Sequence, residues 1–129
     1  MRLPTTAALL SCLAALALTG CGTATVELPK SDPDYAGAEL FVEHCSGCHT
    51  FDKAGTEGSA SKVKTRENKD GPNFNQRKET EEDVLYAIEN GGFSSGPMPQ
   101  NIVTGEDAEK IAEFIAKYSG PDAPKPGGD

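Results

Sequence analysis

The stretch Cys45-Ser46-Gly47-Cys48-His49 constrains this chain more than any other. It reads C-x-x-C-H, a spacing at which a haem can be attached through two thioether bonds. Thiols three positions apart fall on one helical turn, so both can reach one edge of a flat macrocycle. The imidazole of His49 can then rise beneath the iron as proximal ligand. Ser46 and Gly47 are small and keep side chains out of the ring's way. Two plainer readings compete. A bare C-x-x-C also occurs in dithiol redox pairs and as half of a zinc site. A closed zinc site needs four ligands, and the chain has only two histidines, His44 and His49. A thioredoxin-like dithiol needs a βαβ frame, and no strand-rich pattern is present. Haem attachment is the reading that fits.

The N-terminus reads as an export signal. Arg2 is followed by an apolar run from Ala7 to Leu18, too short to span a bilayer. Leu18-Thr19-Gly20-Cys21 then resembles a bacterial lipobox, which implies cleavage after residue 20 and lipidation of Cys21. The alternative is an ordinary signal peptide with a chance cysteine. Cysteine use becomes simple on the first reading. Cys12 leaves with the leader and Cys21 takes the lipid, so Cys45 and Cys48 alone remain in the fold, which is no disulfide scaffold.

Residues 21–129, beyond the leader, amount to one small domain with a thin core. It has no tryptophan, and a haem would supply much of the missing apolar volume. The full chain carries a net charge of −8; losing Arg2 leaves 11 basic against 20 acidic residues, or −9. That balance speaks against nucleic-acid binding and for a positively charged partner surface, unless the acid serves only solubility.

Along the chain, residues 21–33 read as the lipidated end and a flexible tether. Its twelve residues from 22 would span roughly 19 Å on average and at most about 40 Å. A helix is expected from about Asp34 to Cys45, opened by Asp32-Pro33, with Gly37, Phe41 and Cys45 on one face. Gly37 costs helix stability and is explained if another helix crosses closely there. Asp52 to Asp70 is polar, with no helical or alternating pattern; it is long for a structureless loop in a compact domain, so it is either mobile or functional. Gly71-Pro72 ends it, and the Pro72 carbonyl is the candidate acceptor for the other ring N–H of His49. Thr80 caps a second helix with apolar Val84, Leu85 and Ile88, closed by Gly91. Pro97 and Pro99 stiffen a loop around Met98, whose soft thioether suits the sixth position of a haem iron better than a buried gap-filler role. His44 adjoins Cys45 on the proximal side and cannot easily reach the distal face. Thr104 is expected to cap the last helix, with Ile111, Phe114, Ile115 and Tyr118 as its buried stripe. Residues 120–129 read as a disordered tail.

From about Tyr35 to Tyr118 the chain resembles a class I, single-haem cytochrome c. The similarity rests on motifs in order: Gly37 and Phe41 before Cys45-Cys48-His49, then Gly71-Pro72, the Asp83–Ile88 helix, Pro97-Met98-Pro99 and the closing amphipathic helix. The resemblance implies an all-α domain over residues 34–119, three to five helices around one covalent haem. It implies thioethers at Cys45 and Cys48, axial ligation by His49 and Met98, Pro72 as acceptor from His49, and Gly37 packed against Phe114. The chain departs from many small relatives in the longer segment between His49 and Gly71. Its acidic surface also differs from the lysine ring of the mitochondrial proteins.

The expected role is that of a single-electron carrier rather than an enzyme, serving oxidase, reductase or dehydrogenase partners in a respiratory chain. No small-molecule substrate and no nucleic acid are expected, and a monomer is. The expected place is the outer face of a bacterial cytoplasmic membrane, through lipid on Cys21, or the periplasm. Two alternatives stay open: a haem relay subunit within a larger complex, and a ligand-binding or catalytic haem protein with an open iron.

Overall fold

Gly37 lies where two helices cross. A methyl group there would collide with the carbonyl of Lys110 and press on Cβ of Phe114, so only glycine lets the helices approach this closely. The crossing pair are the first and last helices of the computed structural model, which describes residues 24–59 and 65–123. In chain order these residues form helix α1 (Tyr35–Cys45), strands β1 (Thr50–Phe51) and β2 (Thr56–Glu57), and helices α2 (Glu81–Asn90) and α3 (Glu106–Tyr118). α3 also packs on α2. The domain is mostly helical, as expected. Residues 1–20, read above as a leader, Cys21 and residues 124–129 lie outside the described residues.

The ends of the crossing pair are tied by polar contacts. Asp32 Oδ1 accepts the Asp34 N–H at 2.9 Å, and its other oxygen accepts the Tyr118 hydroxyl at 2.9 Å. Lys117 pairs with Asp34. Hydrogen bonding to the Asp34 N–H, with Tyr118 and Lys117 nearby, holds the Asp32 carboxyl below its usual pKa despite some desolvation.

Four of the five phenylalanines meet in the core. Phe41 stands edge-on to Phe51, Phe74 and Phe114, with ring centroids 5.5–6.1 Å apart. Phe51 and Phe114 approach to 4.9 Å. Edge-on contacts set the positive rim of one ring against the negative face of another. The expected stripe of α3, Ile111, Phe114, Ile115 and Tyr118, is fully in place. So is the start of α2, where Thr80 Oγ1 accepts the Asp83 N–H at 3.1 Å, and its end at Gly91 in the left-handed region.

Four expectations need correction. First, the domain is not helical throughout, because the segment after His49 opens with a small hairpin. Antiparallel β1 and β2 pair Thr50 with Glu57 and Phe51 with Thr56 around a 3₁₀ turn, Asp52–Ala54, closed by Gly55 at φ +64°. Strands of two residues are too short to show alternation. Second, residues 24–33 are not a free tether. Leu28 is buried, Val26 packs beside the core, and the Glu27 N–H donates to the Lys53 carbonyl at 3.0 Å. Val26 and Leu28 are two apart, so an extended chain turns both to one side. Third, Thr104 does not cap α3. Gly105 precedes the helix at φ +64°, ψ −147°, a conformation essentially confined to glycine, and no side chain caps the helix. Fourth, the chain does not become disordered at residue 120. Gly120 donates its N–H to the Phe74 carbonyl at 2.8 Å, and Ser119 Oγ accepts the Glu79 N–H at 3.0 Å.

Candidate haem site

α1 ends at Cys45, and the chain turns at once. The Cys48 and His49 N–H groups both donate to the Cys45 carbonyl, at 3.2 and 3.1 Å. This single turn brings two free, partly exposed thiols to one place. Gly47 between them has open space around it. Burial, reinforced by the neighbouring Cys48, pushes the Cys45 thiol up to about 12, so it stays protonated at neutral pH.

His49 is buried in a slot built from three segments. Phe74 stacks on its ring, 4.9 Å between centroids and 12° from parallel. Phe41 stands 6.3 Å away, tilted. Gly71 forms the third wall, for a methyl group there would run into the imidazole. Nδ1 of His49 lies 3.0 Å from the Pro72 carbonyl oxygen. A carbonyl can only accept, so Nδ1 carries the proton and Nε2 keeps its lone pair. Burial lowers the pKa of the ring, and the Pro72 bond opposes this only in part. The imidazole is therefore neutral, the form that binds metals.

The backbone of His49 is held as firmly as the ring. Its carbonyl accepts the Thr56 hydroxyl at 3.0 Å and the Gly58 N–H at 3.1 Å. The Gly71 N–H donates to the Cys48 carbonyl at 2.7 Å, and Phe74 N–H to the Thr50 carbonyl at 3.0 Å. The small hairpin and the Gly71–Phe74 segment thus clamp the C-x-x-C-H turn between them. Sequence reasoning missed Thr56, Gly58 and Phe74 as parts of this site. A glycine in a polar run and an aromatic just past Gly-Pro were the only signals.

Met98 arrives from a separate segment. It is partly buried against the core, on the loop that leaves α2. Gly91 makes room for that loop, since a methyl group there would press on the Met98 carbonyl; Gly92 lies alongside the methionine, its Cβ position in ordinary contact 3.9 Å from Met98 Sδ. The loop is pinned back to α2, since the Asn101 N–H donates to the Ile88 carbonyl at 2.8 Å. His44 precedes Cys45 in the last turn of α1, half-buried.

These donors fit a haem. Two thiols share one turn, a neutral imidazole is oriented through its Nδ1, and a thioether sits on a constrained loop. Cys45, Cys48, His49 and Pro72 are brought together directly.

Comparison with known proteins agrees. The cytochrome c family pattern matches residues 35–119. The crystal structure of the c-type cytochrome SorU from Sinorhizobium meliloti superposes with a TM-score of 0.54 at 31% identity, covering 71% of this chain and 95% of that one. No curated protein sequence matches significantly. The fold, the clamped C-x-x-C-H turn and both comparisons lead to one conclusion: the chain belongs to the cytochrome c family, whose work is electron transfer through c-type haem.

Proposed function

We propose that this chain is a one-haem electron carrier of a membrane-associated respiratory chain, and not an enzyme. A haem bound here supplies a one-electron iron couple. Cys45 and Cys48 hold it by thioethers. His49 offers Nε2 to the iron, and Pro72 fixes the tautomer and the ring plane. Met98 offers its sulfur, a ligand that favours the reduced form and raises the potential. Cys21 ties the domain by lipid to the outer face of the membrane, and the partners are redox proteins.

The observation that carries this reading is the hydrogen bond from His49 Nδ1 to Pro72, inside the slot of Phe74 and Gly71. A ring held by its neighbours and tied at one nitrogen is set to coordinate through the other. With His49 and Met98 both held on fixed segments, little would have to rearrange on reduction of a bound haem. The test is covalent attachment in the exported protein. Acidified organic solvent should leave one haem on the wild-type chain, and Cys45→Ala or Cys48→Ala should weaken that retention. Unchanged retention in both variants would contradict the thioether assignment.

A further inference from the structure

Four phenylalanines are in the core, and the fifth is not. Phe93 is 60% exposed and Tyr86 is 50% exposed, the large hydrophobic side chains left in solvent among the described residues. They are not scattered. Their rings stack, 5.0 Å between centroids and 27° from parallel, which joins the outer face of α2 to the loop that carries Met98. Phe93 directly follows Gly92, the residue whose Cβ position lies 3.9 Å from Met98 Sδ. The aromatic pair therefore stands beside the segment that serves the iron.

The charge along the chain on either side of the pair is one-sided. From Asn90 to Gly105 sixteen consecutive residues carry no charge. Between Lys78 and Lys110 there are eight acidic residues and no lysine, arginine or histidine. Glu82 and Glu89 lie four before and three after Tyr86, so they flank it on the same face of α2, and both are exposed. An apolar, aromatic centre with a charged rim is the layout of a protein docking patch.

We infer that the Tyr86–Phe93 pair is the contact centre for a redox-partner protein whose own patch is apolar and ringed by lysine or arginine. The inference rests on the electron-carrier reading and names the surface and the chemistry of its partner. A second copy of this chain would bring the same acidic rim and be repelled. An anionic bilayer surface would be repelled likewise.

The test uses the haem-loaded, reduced protein and oxidised mitochondrial cytochrome c as the probe, a protein with a lysine-ringed docking face. Electron transfer is followed by stopped flow over a range of ionic strength. The wild-type rate should fall as salt rises. The double variant Tyr86→Ser/Phe93→Ser should react about tenfold more slowly, the size expected for losing an aromatic contact centre. Its absorption spectrum and reduction potential should match the wild type. Glu82→Gln/Glu89→Gln should flatten the salt dependence, and Glu39→Gln/Glu43→Gln on α1, with the same change in net charge, should do so much less. A rate for the aromatic variant within twofold of wild type overturns the inference. So does a shifted spectrum or potential, which would place the rings in the haem crevice, and so does a wild-type dimer that the aromatic variant abolishes. A wild-type protein that transfers no electrons would instead defeat the carrier reading itself, and this inference with it.

Discussion

His49 Nδ1 donates to the carbonyl oxygen of Pro72 across 3.0 Å, twenty-three residues further along the chain. The bond does two things at once. It satisfies a buried donor, and it decides which nitrogen is free for a metal. The walls around the ring keep that choice fixed.

Gly71→Ala tests the slot. The added methyl group would strike an imidazole that Phe74 and Pro72 prevent from moving aside. The expected cost is about 1–3 kcal/mol, as for other overpacked sites, with an altered haem spectrum. Pro72→Ala keeps the accepting carbonyl and should disturb the spectrum less. Thermal melts and absorption spectra of the two haem-loaded variants check this; wild-type behaviour of Gly71→Ala would contradict the geometry.

Gly37→Ala tests the helix crossing. The methyl group would meet the Lys110 carbonyl, which is backbone and cannot swing away. A loss of about 1–3 kcal/mol is expected from forcing α1 and α3 apart. Ala usually stabilises a helix relative to Gly, so a melting temperature that rises would show that the crossing is looser than this.

Asp32 gives a pH dependence with a definite sign. Its folded-state pKa is depressed, chiefly by the bond from the Asp34 N–H. Its contribution is therefore present above the ordinary carboxylate pKa of 3.8 and is lost as pH falls through the lowered value. Asp32→Asn should destabilise the protein by about 0.5–1 kcal/mol near neutrality, because two charge-assisted bonds, screened by nearby solvent, are weakened. The gap from wild type should shrink as acid protonates Asp32. Urea unfolding at neutral pH and near pH 3 measures both; a gap that does not change with pH would count against the Tyr118 and Asp34 contacts.

Anchoring at Cys21 makes a further prediction. Because the backbone of Thr25 is already packed against Gly55, only three residues separate the domain from Cys21, a reach of about 14 Å. A lipid at Cys21 would hold the domain close to the bilayer instead of letting it swing. Cys21→Ala should release the protein from membranes into the soluble fraction. Continued tight membrane association of that variant would require another anchor.

Much of this arrangement was legible from local rules. The Thr80 cap, the Gly91 stop and the four-residue stripe of α3 each depend on a few adjacent positions, and each is found where expected. Gly37 against Phe114 and Pro72 against His49 are suggested by resemblance and pattern; the geometry has Phe114 Cβ beside Gly37 and the Pro72 carbonyl 3.0 Å from His49 Nδ1. What was hidden depends on partners far along the chain. Phe51 and Phe74 have no periodic neighbours, yet they complete the aromatic core around Phe41. Val26 and Leu28 are too short a pair to signal an extended segment. Thr104 satisfied a capping pattern that the conformation of Gly105 overrides.

Axial ligation by His49 and Met98 is tested most directly by the absorption spectrum of the exported, haem-loaded protein, oxidised and reduced, extended into the near-infrared. A low-spin spectrum is expected, with a sharp reduced α-band and a weak near-infrared sulfur-to-iron band. That band should be absent in Met98→Ala, which should also have a lower potential. A high-spin wild-type spectrum that shifts on adding carbon monoxide would contradict this ligation, for it would mean that Met98 leaves the iron open.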